Sequence, residues 1–384
     1  MSERFDAIVV GAGSVGVPTA LALAESGLRP LVIDAAASLG QGAHKAAIGG
    51  VRATHGDPAK VRVATESLAT FRTWHEVYGD DIEWVSAGYA FVAYRSAEAM
   101  ALRRLAQRQR AVGLDVAWLD GDALHERVPA LRREGLLGGT FSPGDGHCST
   151  LKAGHAMAAA ARRAGATFRF GERVLELTLR AHAVVGVRTE RGAYEAPVVV
   201  NAAGSVAEAL AASVGDVLRI APELHEAGIT EAVAPFLGPL VVDIRPAPGS
   251  ANVYAYQTSG GQVIFCLTPD PPLVGDDLGD TSAFLPQVAR RLLDIVPRLR
   301  YARVRRTWRG VYPMTPDGSP LVGWSRSVEG LVHAAGMCGQ GLMLGPGVGS
   351  LVARMVRGEL RSRDRETLAA WRPERTFERV EALR

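Results

Sequence analysis

Residues 5–17 read Phe-Asp-Ala-Ile-Val-Val-Gly-Ala-Gly-Ser-Val-Gly-Val, and the next apolar run closes as Leu-Val-Ile-Asp at 31–34. Asp6–Val10 is a β-branched apolar run, the pattern of a strand buried on both faces. Ser14–Ser26 is rich in alanine and leucine and reads as a helix, with Gly27 just past its last turn. Leu31–Ile33 is the next buried strand, so strand, helix and strand fit in about 30 residues, the size of a βαβ unit. Gly11, Gly13 and Gly16 stand in G-x-G-x-x-G spacing at the first junction, and Asp34 follows Gly11 by 23 residues. Gly11 lets the chain turn out of the strand, Gly13 lets the backbone approach a pyrophosphate, and Gly16 lets the helix pack on the sheet. The helix start, through Ser14 and Val15, offers N–H groups and the positive end of a dipole to phosphate. Asp34, followed by Ala35, can accept from a ribose hydroxyl. Pro18 is tolerable because it lies near the first turn. The stretch predicts a dinucleotide site.

Composition narrows the rest. The chain has 384 residues, 47% of them apolar and 22% charged, a globular profile with length for two domains. A formal charge of +3, carried by 40 arginines and only Lys45, Lys60 and Lys152, is too mild to argue for nucleic acid. No apolar run approaches the ~20 residues of a membrane span. The first strand starts near Phe5, leaving no room for a signal peptide, so a cytoplasmic location is expected. Cys148, Cys266 and Cys338 are far apart and form no C-x-x-C, so no disulfide framework, zinc site or iron–sulfur cluster is expected.

Along the chain, helices are expected at 58–78, 96–112, 151–165 and 283–294. Strands are expected at 82–94, 167–170, 174–179, 183–188, 193–195, 198–200, 240–244, 253–257, 263–267 and 330–335. The predicted fold class is α/β: a Rossmann-like FAD-binding domain with an inserted β-rich substrate domain. The expected boundaries are 1–80, 147–220 and 308–384 for the first, and 81–146 and 221–307 for the second. Residues 336–349 carry six further glycines, ahead of a helix read as opening at Pro346. A second helix N-terminus beside a glycine turn suits the far end of the same cofactor, where a reduced flavin carries negative charge. That favours FAD over NAD.

Several segments resemble one family. Asp6–Asp34, Ile48–Arg52, Asp145–Gly146, Val199–Gly204, Gly228–Glu231, Tyr254–Thr258, Trp308–Gly318 and Gly336–Gly347 occur in its order. Together they resemble the flavoproteins typified by D-amino acid oxidase, glycine oxidase and sarcosine oxidase. Within that family they most resemble the β subunits of heteromeric sarcosine oxidase and dye-linked L-proline dehydrogenase, and the related subunit of bacterial hydrogen cyanide synthase. The resemblance implies oxidation of the C–N bond of a small amino or imino acid, with hydride transfer to flavin N5. Around the cofactor it places Gly11, Gly13, Ser14, Val15 and Gly16, then Asp34 and Ala35, Gly42, Ala43 and His44. It adds Val174 at the adenine, Ala203 and Gly204, then Gly336, Gly339, Gln340, Gly341, Leu342 and Met343. At the substrate it places Arg52, matching the family's carboxylate-binding arginine, His55, Tyr254, Tyr256 and Met343. Arginine suits a carboxylate because its planar fork pairs both oxygens. Tyr254 and Tyr256 share a strand face by alternation.

Departures from the family sharpen the expectation. Gly310-Val311-Tyr312 lacks the cysteine to which monomeric sarcosine oxidases attach FAD, so the FAD is expected to be non-covalent. Met343 stands where those enzymes place a carboxylate-binding lysine. The strand 261–268 lacks the lysine that promotes reaction with O2, which favours a dehydrogenase, although Lys45 keeps an oxidase open. Two alternatives remain: a hydroxy-acid or glycerol-phosphate dehydrogenase on the same fold, and an FAD-carrying electron-relay or assembly subunit of a hetero-oligomer. In the latter, Arg303, Arg305, Arg306 and Arg309 would contact a second subunit or electron-acceptor protein.

Overall fold

The computed structural model describes residues 3–378 and residue 381. Residues 1–2, 379–380 and 382–384, at the ends of the expected FAD domain, lie outside the described residues.

The opening motif forms the centre of a six-stranded sheet. Ala7–Val10 pairs in parallel with Pro30–Asp34 on one side and Val199–Asn201 on the other, Ile8 lying opposite Leu31 and Val199. Thr167–Phe170 extends one edge, Leu331–Ala335 the other, and the antiparallel strand Leu321–Trp324 closes it. Helix α1 (Gly16–Glu25) follows the first strand, helix α2 (Pro58–Tyr78) packs nearby, and helix α3 (Gly341–Arg357) lies against both. All three share the largest apolar cluster.

A second sheet has eight strands. Its order is Val304–Met314, Ala221–Ala232, Gln262–Asp270, Gly249–Gln257, Leu240–Asp243, Tyr89–Ala93, Gly138–Ser142, Ala117–Asp120. All pairs are antiparallel except Leu240–Asp243 with Tyr89–Ala93. The strand Val304–Met314 runs across the expected junction at 307/308. A short ladder, Gly50–Val51 against Gly146–His147, lies where the chain leaves the first sheet for the second.

Three sequence expectations are corrected. The strand expected over 82–94 is reduced to Tyr89–Ala93, because Glu83 takes a left-handed φ of 55° and Gly88 one of 86°. The long strands Ala221–Ala232 and Val304–Met314 were not among the expected elements. Helix α3 begins at Gly341, so Pro346 lies inside it rather than at its start. The next residue, Gly347, gives its N–H to the Ser67 hydroxyl of α2 at 2.9 Å, an external partner beside the break that proline makes in the ladder.

Candidate active site

A cavity of about 400 Å³ opens at the carboxyl ends of the parallel strands. Its wall includes Gly11, Gly13, Ser14 and Val15 from the first turn, Asp34 and Ala35 from the second strand, and Gly42, Ala43 and His44 from the loop beyond it. Val174, Ala203 and Gly204 form another side, and Gly336, Gly339, Gly341 and Leu342 close the far end. Gly16, Gln340 and Met343 do not line it.

The fingerprint glycines divide their work. Gly11 has φ +106°, and a Cβ there would lie 2.5 Å from the Ala202 oxygen. A Cβ at Gly16 would overlap the Gly11 carbonyl, so Gly16 serves packing. A Cβ at Gly13 would meet nothing within 4 Å, and this open side faces the cavity. Asp34 accepts the Ala12 N–H at 2.7 Å and the Ala36 N–H at 2.8 Å, which fixes the turn. A carboxylate has about four acceptor sites, so these two bonds leave it able to accept from a ligand hydroxyl as well.

The C-terminal glycines separate into two sets. Gly336 (φ 65°), Cys338 (φ 51°) and Gly339 (φ 74°) make a left-handed turn before α3. At Gly339 a Cβ would overlap the Tyr312 ring. Gly345, Gly347 and Gly349 instead let α3 approach other backbone: a Cβ would overlap the Ser14 oxygen at 345 and the Val63 oxygen at 347, and lie 2.6 Å from the Pro18 oxygen at 349. Neither α1 nor α3 has a side-chain N-cap, and both helix starts border the same cavity. Two uncapped N-termini joined by an apolar-walled cleft, with a carboxylate at one end, fit an FAD.

The expected substrate residues fall into three groups. Arg52, 7% exposed, donates to the Thr54 carbonyl, lies 3.3 Å from His55 Nδ1 and stacks over Phe91 with its guanidinium 5.5 Å from the ring centre. His55 is fully buried, and burial holds its imidazole well below the usual range, with the Arg52 charge adding to the effect. Asp145 fastens this loop, accepting from Ala53 N at 2.9 Å and Thr54 Oγ1 at 3.0 Å. Tyr254 meets Tyr312, a cavity-wall residue, hydroxyl to hydroxyl at 3.1 Å. Tyr256 shares Tyr254's apolar cluster, as alternation predicts, but its hydroxyl is given to the Ile48 carbonyl and its ring packs 4.3 Å from His147. Tyr256 thus secures the loop before Arg52. His44 is similarly engaged: its Nδ1 lies 2.8 Å from Ser14 Oγ, and its ring sits close against Gly40 and Gly154.

Sequence reading missed His225. Its ring stacks on Tyr312 with centroids 3.8 Å apart and planes 13° from parallel. It is 6% exposed, and neither ring nitrogen has a hydrogen-bond partner among the described residues. Such an unsatisfied buried polar group calls for a water or ligand partner. The only available signal was its place on a strand whose segment Gly228–Glu231 carries the family pattern.

Of the arginines considered as partner contacts, Arg309 is engaged within the chain, 3.4 Å from Glu226 with its side chain 6% exposed. Arg303, Arg305 and Arg306 are exposed. Among the described residues no helix is long and apolar enough to cross a membrane. Nor do any three or more His, Cys, Asp or Glu there form a group that could hold a metal ion.

Burial of its histidines predicts a fold that loses stability in acid. Burial lowers His44 and His147 to about 4 and His225 to about 3. The unfolded chain binds these protons from pH 6.5 downward and the folded one does not, so stability falls as pH drops through that window. Three such groups approach a slope of about 4 kcal/mol per pH unit near pH 5. Asp145, raised to about 6 mainly by burial, works in the opposite direction but is a single group. Thermal melting across pH 7.5 to 4.5 is expected to show a steep loss of Tm below about pH 6; a flat profile there would contradict the neutral, buried histidines.

A model of the family described as DAO, FAD dependent oxidoreductase, matches residues 6–355. Glycine oxidase of Geobacillus kaustophilus is 30% identical over 364 residues, covering 93% of this chain and 94% of its own. Hydrogen cyanide synthase subunit HcnC of Pseudomonas aeruginosa is 24% identical over 308 residues, covering 79% of this chain and 72% of its own. Among solved structures, L-proline dehydrogenase from P. horikoshii superposes with a TM-score of 0.88 at 28% identity, covering 94% of this chain and 96% of its own.

Proposed function

The chain belongs to the DAO family of FAD-dependent oxidoreductases, and we propose that it oxidises the carbon–nitrogen bond of a small amino or imino acid. The observation that carries this reading is the continuity of the cavity with Tyr312, to which Tyr254 and His225 attach. The relatives named for glycine and L-proline support the amine class. We assign residues 1–80, 147–220 and 308–384 to FAD binding and 81–146 and 221–307 to the substrate side, with the strand Val304–Met314 continuing across the last junction. A cytoplasmic location accompanies this assignment.

A bound FAD would supply the hydride acceptor for the substrate's α-hydrogen. Gly11, Gly13, Ser14, Val15 and Asp34 would hold its nucleotide end, and the Gly336–Leu342 turn its flavin end. Gly310–Tyr312 offers no thiol where monomeric sarcosine oxidases attach FAD, which supports a non-covalent cofactor. Arg52 pairs the substrate carboxylate through its fork, with Asp145 and Tyr256 keeping its loop in place. His225, kept neutral by burial, offers a ring nitrogen to an amine N–H of the substrate. Tyr254 and Tyr312 wall the chamber. No strong base is required, because positioning and a water-excluding wall provide most of the effect. The lack of a lysine in 261–268 supports an electron acceptor other than O2, a second subunit or acceptor protein being the natural candidate.

Anaerobic titration of the purified flavoprotein with glycine, sarcosine, L-proline and D-amino acids tests this. Bleaching of the flavin band by at least one amine is expected, with none from lactate or glycerol 3-phosphate. Bleaching by the hydroxy compounds alone would transfer the assignment to the hydroxy-acid class. Slow reoxidation in air and fast reoxidation by a dye would identify a dehydrogenase, and acid precipitation should leave yellow flavin in solution.

A further inference from the structure

The C-terminal segment reaches back to the substrate loop through fully buried charge. Glu381 accepts the Gly56 N–H at 2.8 Å and the Asp57 N–H at 3.0 Å, the last two amides before α2. Its carboxylate lies 3.5 Å from Lys60 Nζ, and both side chains are 0% exposed. The same segment grips the turn that follows the Tyr312 strand. Arg375 forms a fork onto Asp317 with two bonds of 2.8 Å, and donates to the Pro320 and Ser319 carbonyls at 2.8 and 2.7 Å. Glu381 N–H also donates to the Asp317 carbonyl at 2.9 Å. Asp57 completes the junction, capping α2 through Ala59 N at 2.8 Å and accepting from Trp371 Nε1 at 3.1 Å.

A buried ion pair is a poor way to gain stability, since desolvating both charges offsets most of their attraction. It is a good way to fix one geometry. The loop between Val51 and Pro58 holds both Arg52 and His55, and it is pinned at its start by Asp145. Its other end is pinned by Glu381, whose carboxylate accepts from the two amides just before α2, where the helix dipole favours a negative charge.

We propose that Glu381 is a positioning residue for the substrate site: its carboxylate fixes Gly56 and Asp57, and so sets where Arg52 and His55 stand. The proposal rests on the reading of Arg52 as the carboxylate-binding residue. A misplacement of that loop by a fraction of an ångström would weaken substrate binding while leaving the cofactor cavity intact, because the cavity wall contains none of residues 52–57.

The test compares wild type with Glu381→Gln and with the double variant Lys60→Met/Glu381→Gln. The double variant also removes the buried ammonium, which donates to the Gly318 carbonyl as well as facing Glu381, and is read where the single one does not fold. FAD content should be unchanged, KM for the reducing amine should rise about tenfold or more, and kcat should change less than about threefold. Hydrogen exchange of the peptide covering 52–57 should accelerate about tenfold, with that covering 11–16 unchanged. Faster loop exchange with KM within twofold of wild type would reduce Glu381 to a structural anchor and overturn the proposal. Unchanged loop exchange would overturn it as well. If no amine reduces the wild-type flavin, the functional reading fails, and the exchange data still decide whether Glu381 fixes the loop.

Discussion

Gly345→Ala is expected to fold with a lowered Tm, whereas Gly13→Ala is expected to fold normally and lose its flavin. Both glycines lie near the cofactor cavity, but they face different obstacles. The Cβ at 345 would overlap the Ser14 carbonyl, which is backbone and cannot rotate away. Overpacking costs about 1–3 kcal/mol where side chains can give way, and more against main chain. A loss of at least about 3 kcal/mol lowers Tm by roughly 4 °C for a chain of this size. It also separates α3 from α1, the contact that brings the two halves of the cavity together. At Gly13 nothing lies within 4 Å, so a methyl group disturbs no protein atom. It would stand where the pyrophosphate must approach. Loss of one or two charge-assisted bonds, about 3 kcal/mol, weakens FAD by roughly a hundredfold. Melting curves with and without added FAD, with a flavin fluorescence titration, separate the two. A Gly345→Ala protein melting like wild type would refute the packing account, and a Gly13→Ala protein binding FAD normally would refute the pyrophosphate account.

That pair also shows what the sequence could and could not reveal. Gly11, Gly13, Gly16 and Asp34 were legible because their work is local: one strand, one turn and one helix within about 30 residues fix it. The C-terminal glycines were legible as a group but not individually. The backbone that each opposes, Ser14, Val63 or Pro18, comes from distant helices. Pro346 was misplaced for the same reason. Its preference for a first turn is a local rule, and Ser67 of α2, a tertiary partner, lets the helix begin earlier. The strands Ala221–Ala232 and Val304–Met314 mix charged and apolar residues without clean alternation, so their pairing, with His225 opposite Gly310, could not be read. His225 therefore escaped notice: its significance arises from stacking on Tyr312 across that ladder and from ring nitrogens that find no hydrogen-bond partner among the described residues, neither of which is written near residue 225.

Arg52→Gln is expected to reduce kcat/KM for an amino acid by about a thousandfold, equivalent to about 4 kcal/mol, most of it in KM. The size follows from the loss of a bidentate charge-assisted pair in a buried setting; Arg52 is 7% exposed and backed by Phe91. Part of any loss would come from the protein itself, since the guanidinium also donates to Thr54 and lies beside His55 Nδ1. A substrate lacking the carboxylate separates the two contributions. The methyl ester of the reducing amino acid should already be a poor substrate for wild type, and Arg52→Gln should lower its kcat/KM by less than about threefold. The cycle formed by the two enzymes and the two substrates then reports the arginine–carboxylate coupling directly. Arg52→Lys should recover only part of the loss, because an ammonium keeps the charge but not the fork. Equal losses for the acid and its ester would show that Arg52 maintains its loop rather than holding the substrate. The carboxylate would then have to be met elsewhere, the next candidates being Tyr254 and His225 against Tyr312.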